Sequence, residues 1–394
     1  MVEETQDRLA VATVLGNRLF YSINWYSIPP IFYLIALDLH TKVSGLGLIS
    51  SAFLVGIGLF QVPGALLSAR VGARSVCILG MVILSVSALL CAVVSSIDLI
   101  ALLRFFSGMG MALFFPPSIS LMTKLSRPGR AGFVLGLNNA MASVGGGIGL
   151  LAWGVIGDSV GWRLSLALIG GLGLASTVFL ILLVPRDEPT RDFQFRLRDL
   201  RRVLLDKWLL LLGCVLLAYN VGNTLDATFV EVYLHDSLGL SAGLSGGIGS
   251  LVIFSGLFTA PIAGHFYNRV ARVKLVLAAS GLAIGLGVAL ASLATPLAVA
   301  TSAVTVGLAS GVGYTFAFGS AWNTSKERAQ RAIALSWVNS IQLLFSFWAP
   351  YLFSFVVVGY GYRLAWLTGG LYTAVFILPL VLSRGAPAPQ AEAE

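Results

Sequence analysis

The sequence predicts an all-α membrane protein with twelve transmembrane helices in two six-helix bundles. Three observations carry that fold class. Only 11% of the 394 residues are charged, and the mean hydropathy is +0.90. With glycine included and tyrosine left out, about 65% of the chain is apolar, against about 45–50% in soluble proteins. A soluble fold would have too little polar surface to coat such a core. The apolar residues also come in unbroken runs of about 20 or more, the length that crosses the hydrocarbon core as a helix. Membrane barrels show short alternating segments instead. Finally, the cations collect on alternate connections between those runs, which is the signature of membrane orientation. A soluble enzyme, a disordered chain and a nucleic-acid binder are excluded at this point, and the bilayer becomes the expected partner.

The elements follow in order. Helix 1 is read over 9–37, interrupted only by Arg18. The residues before it, 1–7, are acidic and polar. They carry no basic n-region and no small-residue cleavage site, so helix 1 is expected to stay in the mature protein. Helices 2 to 6 are the charge-free runs 43–69, 75–97, 105–123, 131–157 and 164–185. The longest polar stretch, 185–206, is basic and partly amphipathic; it reads as a cytoplasmic linker, with lipid sensing as the other reading. Helix 7 starts at 208 and continues past Asp226 toward His235. Helix 8 is 237–268, Thr295-Pro296 divides 275–325 into helices 9 and 10, and 332–362 and 364–383 give helices 11 and 12. The expected domains are therefore 1–184, the linker 185–206, and 207–394 with a short cytoplasmic tail.

Orientation follows from Lys and Arg. With both termini inside, 20 of the 25 cations fall on cytoplasmic connections, and only Lys42, Arg163 and Arg363 fall outside. Arg18 and Arg104 remain within spans. The location expected is the cytoplasmic membrane. Cys77, Cys91 and Cys214 are isolated in apolar runs, and the three histidines are scattered, so neither a disulfide framework nor a metal centre is expected. No nucleotide-binding loop and no catalytic constellation is visible, and GxG strings such as Gly108-Met-Gly110 lie inside membrane helices. The chain reads as needing no cofactor and as no enzyme. A helix-bundle channel would not need Arg18 and Asp226 in opposite halves.

The two halves repeat. Gly161-Trp162-Arg163-Leu164 recurs as Gly361-Tyr362-Arg363-Leu364, and Arg130-Ala131 with Asn138 recurs as Arg331-Ala332 with Asn339. Repeated bundles of this kind commonly hold substrate near the bilayer midplane and work by alternating access.

Between helices 2 and 3 lies 61–74, QVPGALLSARVGAR. It is similar to the GxLxDRxGxR signature of the major facilitator superfamily, with Arg70, Gly72 and Arg74 matching and Ala69 in place of the usual Asp. The second half carries 264–272, GHFYNRVAR, with Asn268 where Asp is usual, followed by Arg269 and Arg272. Arg104, Gly108 and Gly110 fit the family's RxxxGxG. Gly136, Gly145 and Gly149 have the spacing of its antiporter signature, without that signature's Pro. The resemblance covers essentially the whole chain and implies a secondary transporter acting as a monomer. It also implies a cytoplasmic gate at Arg70, Gly72, Arg74, Asn268, Arg269 and Arg272, here without its two acids. The clustered glycines Gly145, Gly146, Gly147 and Gly149 read as close-packing positions.

Charged groups inside a bilayer are costly and face a cavity or a partner. Arg18, with Asn17, Tyr21 and Asn24 on an adjoining face, reads as a substrate-binding stripe; interhelical hydrogen bonding is the plainer reading. Arg104 can bind substrate, snorkel outward or bond backbone carbonyls. Two buried guanidiniums in one half favour an anionic substrate, because they bind carboxylates in bidentate fashion at any working pH. That placement looks like the organic-anion branch of the family. On helix 7, Tyr219, Asn223 and Asp226 share a face. Asp226 is expected to carry the coupling proton, with Asn223 beside it; a fixed salt bridge to an arginine is the alternative. Glu231 reads as an interfacial acid, and Tyr314 as a cavity residue. The expectation is a proton-coupled carrier of a small carboxylate-type anion. A proton-driven exporter of amphipathic drugs or metabolites is the second reading, and a sensor on the same fold a third.

Overall fold

The computed structural model describes residues 2–126, 131–187, 203–267, 269–324 and 328–383, with side chains described from residues 7, 136 and 333 onward in the helices that begin before them. No strand occurs among the described residues. Twelve helical spans follow in chain order: α1 Val2–Tyr26, α2 Val43–Val71, α3 Ala73–Val93, α4 Ile97–Leu125, α5 Ala131–Val160, α6 Trp162–Leu183, α7 Lys207–Leu238, α8 Ala242–Tyr267, α9 Val273–Leu290 and α10 Pro296–Trp322. The last two are each in two pieces: α11 is Arg328–Phe345 with Trp348–Tyr360, and α12 is Tyr362–Val375 with Leu378–Leu382. Among the described residues, eleven helices are long and apolar enough to cross a membrane. The remaining long helix is α1, whose hydropathy is lowered by its polar first turns and by Asn17, Arg18 and Asn24.

The ends of the helices follow from local chemistry. The sequence reads helix 1 as continuous over 9–37, but α1 stops at Tyr26, and a 3-10 turn, Pro29–Ile31, leads into a short helix, Phe32–Asp38. Pro29 and Pro30 lack the N–H that would continue the ladder, and a proline disfavours helical backbone in the residue before it. Asp206 caps α7 by accepting from Leu209 N at 2.9 Å. Gly239 closes the helix at φ +67, in the left-handed region that favours glycine.

The chain divides into two compact units, Met1–Gln194 and Phe195–Glu394. Much of the linker, 188–202, lies outside the described residues. In the first unit α4 packs on α2 and α3, α3 on α6, and α1 on α5 and α6. The second unit repeats those pairings as α10 on α8 and α9, α9 on α12, and α7 on α11. The repeat read from the two Gly-aromatic-Arg-Leu strings reappears as backbone: Gly161 (φ +81, ψ 156) and Gly361 (φ +85, ψ 166) open α6 and α12 in the same positive-φ, extended-ψ conformation.

Small residues set the helix spacing. A Cβ on Gly56 would lie 2.1 Å from the Phe105 carbonyl oxygen, and one on Gly108 would lie 2.2 Å from that of Phe53. The second unit has the same crossing, with Gly307 2.3 Å from the Val252 carbonyl. Without a hydrophobic driving force between helices in lipid, backbone approach of this kind supplies the packing. Gly145 and Gly149 seat α5 against Leu19 and Ile23 of α1, whereas Gly136 has open space around it.

Candidate functional site

The buried polar groups fall into separate clusters within each unit. Arg18 leads the first. It is 8% exposed, and its Cζ lies 4.3 Å from the Tyr21 ring centroid and 4.7 Å from that of Phe115 on α4. Tyr21 is itself held between Trp25 and Phe114, at ring separations of 6.1 and 5.7 Å. Two aromatic faces stabilise a cation by about 0.5–2 kcal/mol each, and the Tyr21 side chain is also a hydrogen-bonding neighbour of the guanidinium. Nε and Nη1 of Arg18 are buried without a hydrogen-bond partner. No carboxylate among the described residues pairs with it.

Arg104 shares the unpartnered Nε but has carbonyl acceptors for its other nitrogens. Its Nη1 donates to Asn24, to the backbone oxygen at 3.4 Å and to Oδ1 at 3.2 Å, and its Nη2 donates to Trp25 O at 3.4 Å. The guanidinium also lies over Phe53, 4.3 Å from the ring centroid. Of the three roles open from the sequence, this is the bonding of carbonyls, here those of the broken end of α1. Arg18 and Arg104 do not form a single clamp. Phe115 and Arg104 are eleven residues apart on α4, about 16 Å of rise, so the two guanidiniums sit at different depths. Asn17 also bonds to protein: Nδ2 donates to Thr13 O at 3.0 Å and Ser176 O at 3.1 Å, and Oδ1 accepts from Ser176 Oγ. These bonds tie α1 to α6. On α2, Gln61 is 1% exposed and both atoms of its amide lack a partner; sequence reading passed over it as part of the gate segment.

In the second unit, the α7 stripe turns toward α9 and α10. Tyr219 donates to Leu277 O at 2.6 Å, and Asn223 donates to Tyr219 O at 2.9 Å and to Ser310 Oγ at 2.5 Å. Asp226, 1% exposed, accepts from Ser302 Oγ at 3.1 Å on Oδ1, while Oδ2 has no partner. Tyr314 is half-buried, edge-on to Tyr219 at 5.7 Å and stacked on Phe318 at 6.0 Å. The serines of α10 went unnoticed in the sequence because no spacing distinguishes them from packing residues.

One expectation needs correction. Glu231 is not an interfacial acid: it is 3% exposed, with both carboxylate oxygens buried and unpartnered. The sequence signal was its position, seven residues inside the end of α7 at Leu238, or about 10 Å of rise.

At the gate segment, Arg70 is exposed and Gly72 adopts φ +93. Asn268 lies outside the described residues. Arg269 lies over Phe266 at 5.9 Å, and Arg272 is exposed just before α9. An acid from further along the chain reaches this segment. Asp187, just past α6, accepts from the backbone N of Ala73 at 2.8 Å and of Arg74 at 3.0 Å, and from Lys124 Nζ at 3.4 Å. A carboxylate on the first N–H groups of α3 satisfies the orphan donors there and the positive end of the helix dipole. Arg74 returns the contact, its Nη2 donating to Ile181 O near the end of α6 at 2.5 Å. A Cβ on Gly72 would lie 2.9 Å from the Asp187 carboxylate, so glycine is required there twice over.

Two repeated six-helix units with charged side chains held inside the spans define a multi-pass carrier of small molecules rather than an enzyme. The sequence profile of the Major Facilitator Superfamily matches residues 14–329, and the chain belongs to that family of secondary transporters. Among relatives, the multidrug efflux protein YfmO of Bacillus subtilis is 26% identical over 361 residues, 91% of this chain and 88% of that one. The probable sulfoacetate transporter SauU of Cupriavidus necator is 26% identical over 170 residues, 43% of this chain and 39% of that one. Of solved structures, the nucleoside transporter NupG, in a mutant form, superposes with a TM-score of 0.79 at 14% identity, covering 94% of this chain and 99% of that one. A bacterial homologue of the lysosomal transporter Spinster gives 0.75 at 16% identity, covering 97% and 99%. These likenesses establish the fold.

Proposed function

We propose that this transporter moves a small organic anion of carboxylate type across the cytoplasmic membrane by alternating access, coupled to protons, with Arg18 as the anion-binding group. The observation that carries the reading is the state of Arg18. A guanidinium buried among aromatic rings, with Nε and Nη1 unpartnered and no acid paired with it among the described residues, has a desolvation cost of several kcal/mol that an anion would offset. Tyr21 and Phe115 orient it, and a guanidinium is a strong charge-assisted donor to carboxylates. Arg104 and Asn24 position α1 against α4 rather than hold substrate, and Asn17 does the same toward α6. Asp226, with Asn223 on the same stripe, is the proton carrier of this reading. Both termini and the cation-rich connections lie on the cytoplasmic side, and the working unit is the monomer. Sulfoacetate, named for one relative, is itself a small organic anion.

The relative named for multidrug efflux spans most of the chain and favours the second reading, proton-driven export of amphipathic compounds. A thermal-shift screen of the purified protein against carboxylates, sulfonates, sugars, amino acids and cationic dyes separates the two. Ligands stabilise by about RT ln(1 + [L]/Kd). Stabilisation by carboxylates supports the anion reading; stabilisation by cationic dyes alone overturns it in favour of export.

A further inference from the structure

Three polar atoms on α7 and α8 are buried without partners. Two are the carboxylate oxygens of Glu231, and the third is Oγ of Ser245, a residue 2% exposed. Gly249 lies one turn after Ser245 on α8. A Cβ there would stand 2.8 Å from Glu231 Cγ and 2.9 Å from its Oε1. The carboxyl therefore has room only because residue 249 is glycine, and Ser245 shares that face at i, i+4 spacing. A leucine at 231 would pack such a contact without polar cost. An acid kept at this depth marks function by default.

The neighbours leave few choices for what completes the group. No ionisable residue of α8 precedes His265, sixteen residues or about 24 Å beyond Gly249. On α10 the titratable side chain is Tyr314, and on α9 it is Lys274 in the first turn. The described part of α11 offers Tyr351 and Tyr360, and α12 offers Tyr362, Arg363 and Tyr372. On α7 itself, Asp226 bonds Ser302, Tyr233 packs against Tyr362 with ring centroids 4.7 Å apart and planes tilted by 36°, and His235 pairs with Asp236. None of these contacts reaches the Glu231 carboxyl. A hard metal cation would want about six or more oxygens, and these side chains supply three. A proton needs one lone pair and leaves the group uncharged.

We propose that Glu231 is a second proton-binding group of the transporter, seated against the Ser245–Gly249 face of α8. One carboxylate oxygen takes a proton from water and later returns it. It differs from Asp226 in position and in contact: five residues along, about 7.5 Å of rise, and facing α8 where Asp226 faces α10. The inference extends the proton-coupled reading above, but its test requires no transport substrate.

The experiment is infrared difference spectroscopy of the purified, membrane-reconstituted protein between acidic and alkaline buffer, in H2O and D2O. Protonated carboxyl groups show a carbonyl band that shifts in D2O. The parent should show such a band growing reversibly on acidification, and Asp226→Asn should retain a component of it that Glu231→Gln lacks. Gly249→Ala, which crowds the carboxyl, should move that component without deleting it. An identical band in the parent and in a folded Glu231→Gln overturns the proposal. So does a Glu231 component present unchanged at every pH, which would mark a fixed structural acid. If Glu231→Gln does not fold, the Gly249→Ala shift decides: no movement of the band overturns the assignment. A Glu231 band that titrates while carboxylates fail to stabilise the protein would leave the proton site standing and remove the anion reading alone.

Discussion

Replacing Arg18 by methionine separates a binding guanidinium from a structural one by the sign of the stability change. The substitution keeps a long side chain against Tyr21 and Phe115 and removes the charge. It forfeits two cation–ring contacts, each about 0.5–2 kcal/mol. In return it relieves the burial of an ion whose Nε and Nη1 have no partner, a cost of several kcal/mol per ion. The ligand-free protein should therefore be as stable as the parent or more so. Binding should move the other way. Truncating one partner of a buried charged hydrogen bond costs about 2–5 kcal/mol, which is about 30- to 4,000-fold in affinity. At a ligand concentration 100 times the parent's Kd, the parent gains about 2.7 kcal/mol, while the variant retains under about 0.9 kcal/mol. The assay is thermal or denaturant unfolding in detergent, with and without the best carboxylate from the screen. Arg18→Lys should fall between the two, because the charge survives but the planar fork does not. The reasoning is refuted if Arg18→Met loses about 3–5 kcal/mol without ligand, as a broken buried ion pair does, or if the ligand shift survives intact.

Other outcomes follow from the same geometry. Asp226→Asn should abolish uptake driven by a pH gradient in vesicles while sparing counterflow exchange; normal accumulation would remove Asp226 from coupling. Gly108→Ala should destabilise by the upper end of about 1–3 kcal/mol or more, because its Cβ meets the Phe53 carbonyl and Ile57 N, backbone that cannot swing away; a melting curve like the parent's would contradict the close α2–α4 crossing. Asp187→Ala should cost about 0.5–2 kcal/mol as a lost helix cap, and Asp187→Asn, which keeps one acceptor, should cost less; equal losses would deny the capping role. Single cysteines placed in 185–206 should be labelled only from the cytoplasmic side, and labelling from outside in intact cells would reverse the orientation.

Span number, the repeat and the close-packing glycines were legible in the sequence, because the bilayer imposes one-dimensional rules. A helix must be about 20 apolar residues long, and a helix crossing wants small side chains at fixed spacing. Gly145 and Gly149 follow those rules, whereas Gly136 matches a pattern and packs against nothing, and the closest crossing, at Gly56 and Gly108, showed only in the fold. That Arg18, Arg104 and Asp226 lie inside long apolar helices was equally readable, and all three are buried. What a charge pairs with is a different quantity, set by neighbours far away in the chain. Arg18 and Arg104 look equivalent as letters. Tertiary structure gives Arg104 the carbonyls at the end of α1, one of them, Trp25 O, freed by Pro29, and leaves Arg18 between rings. Asp187 reaches the start of α3 from 113 and 114 positions away, through bonds to backbone N–H groups that no local pattern announces. Glu231 became a buried acid because of a glycine on another helix. The sequence determined that this chain crosses the membrane, how often, and with which charges inside. Only the fold decided which of those charges are satisfied, because hydrogen bonds and ion pairs act over a few ångströms of space and carry no trace of separation along the chain.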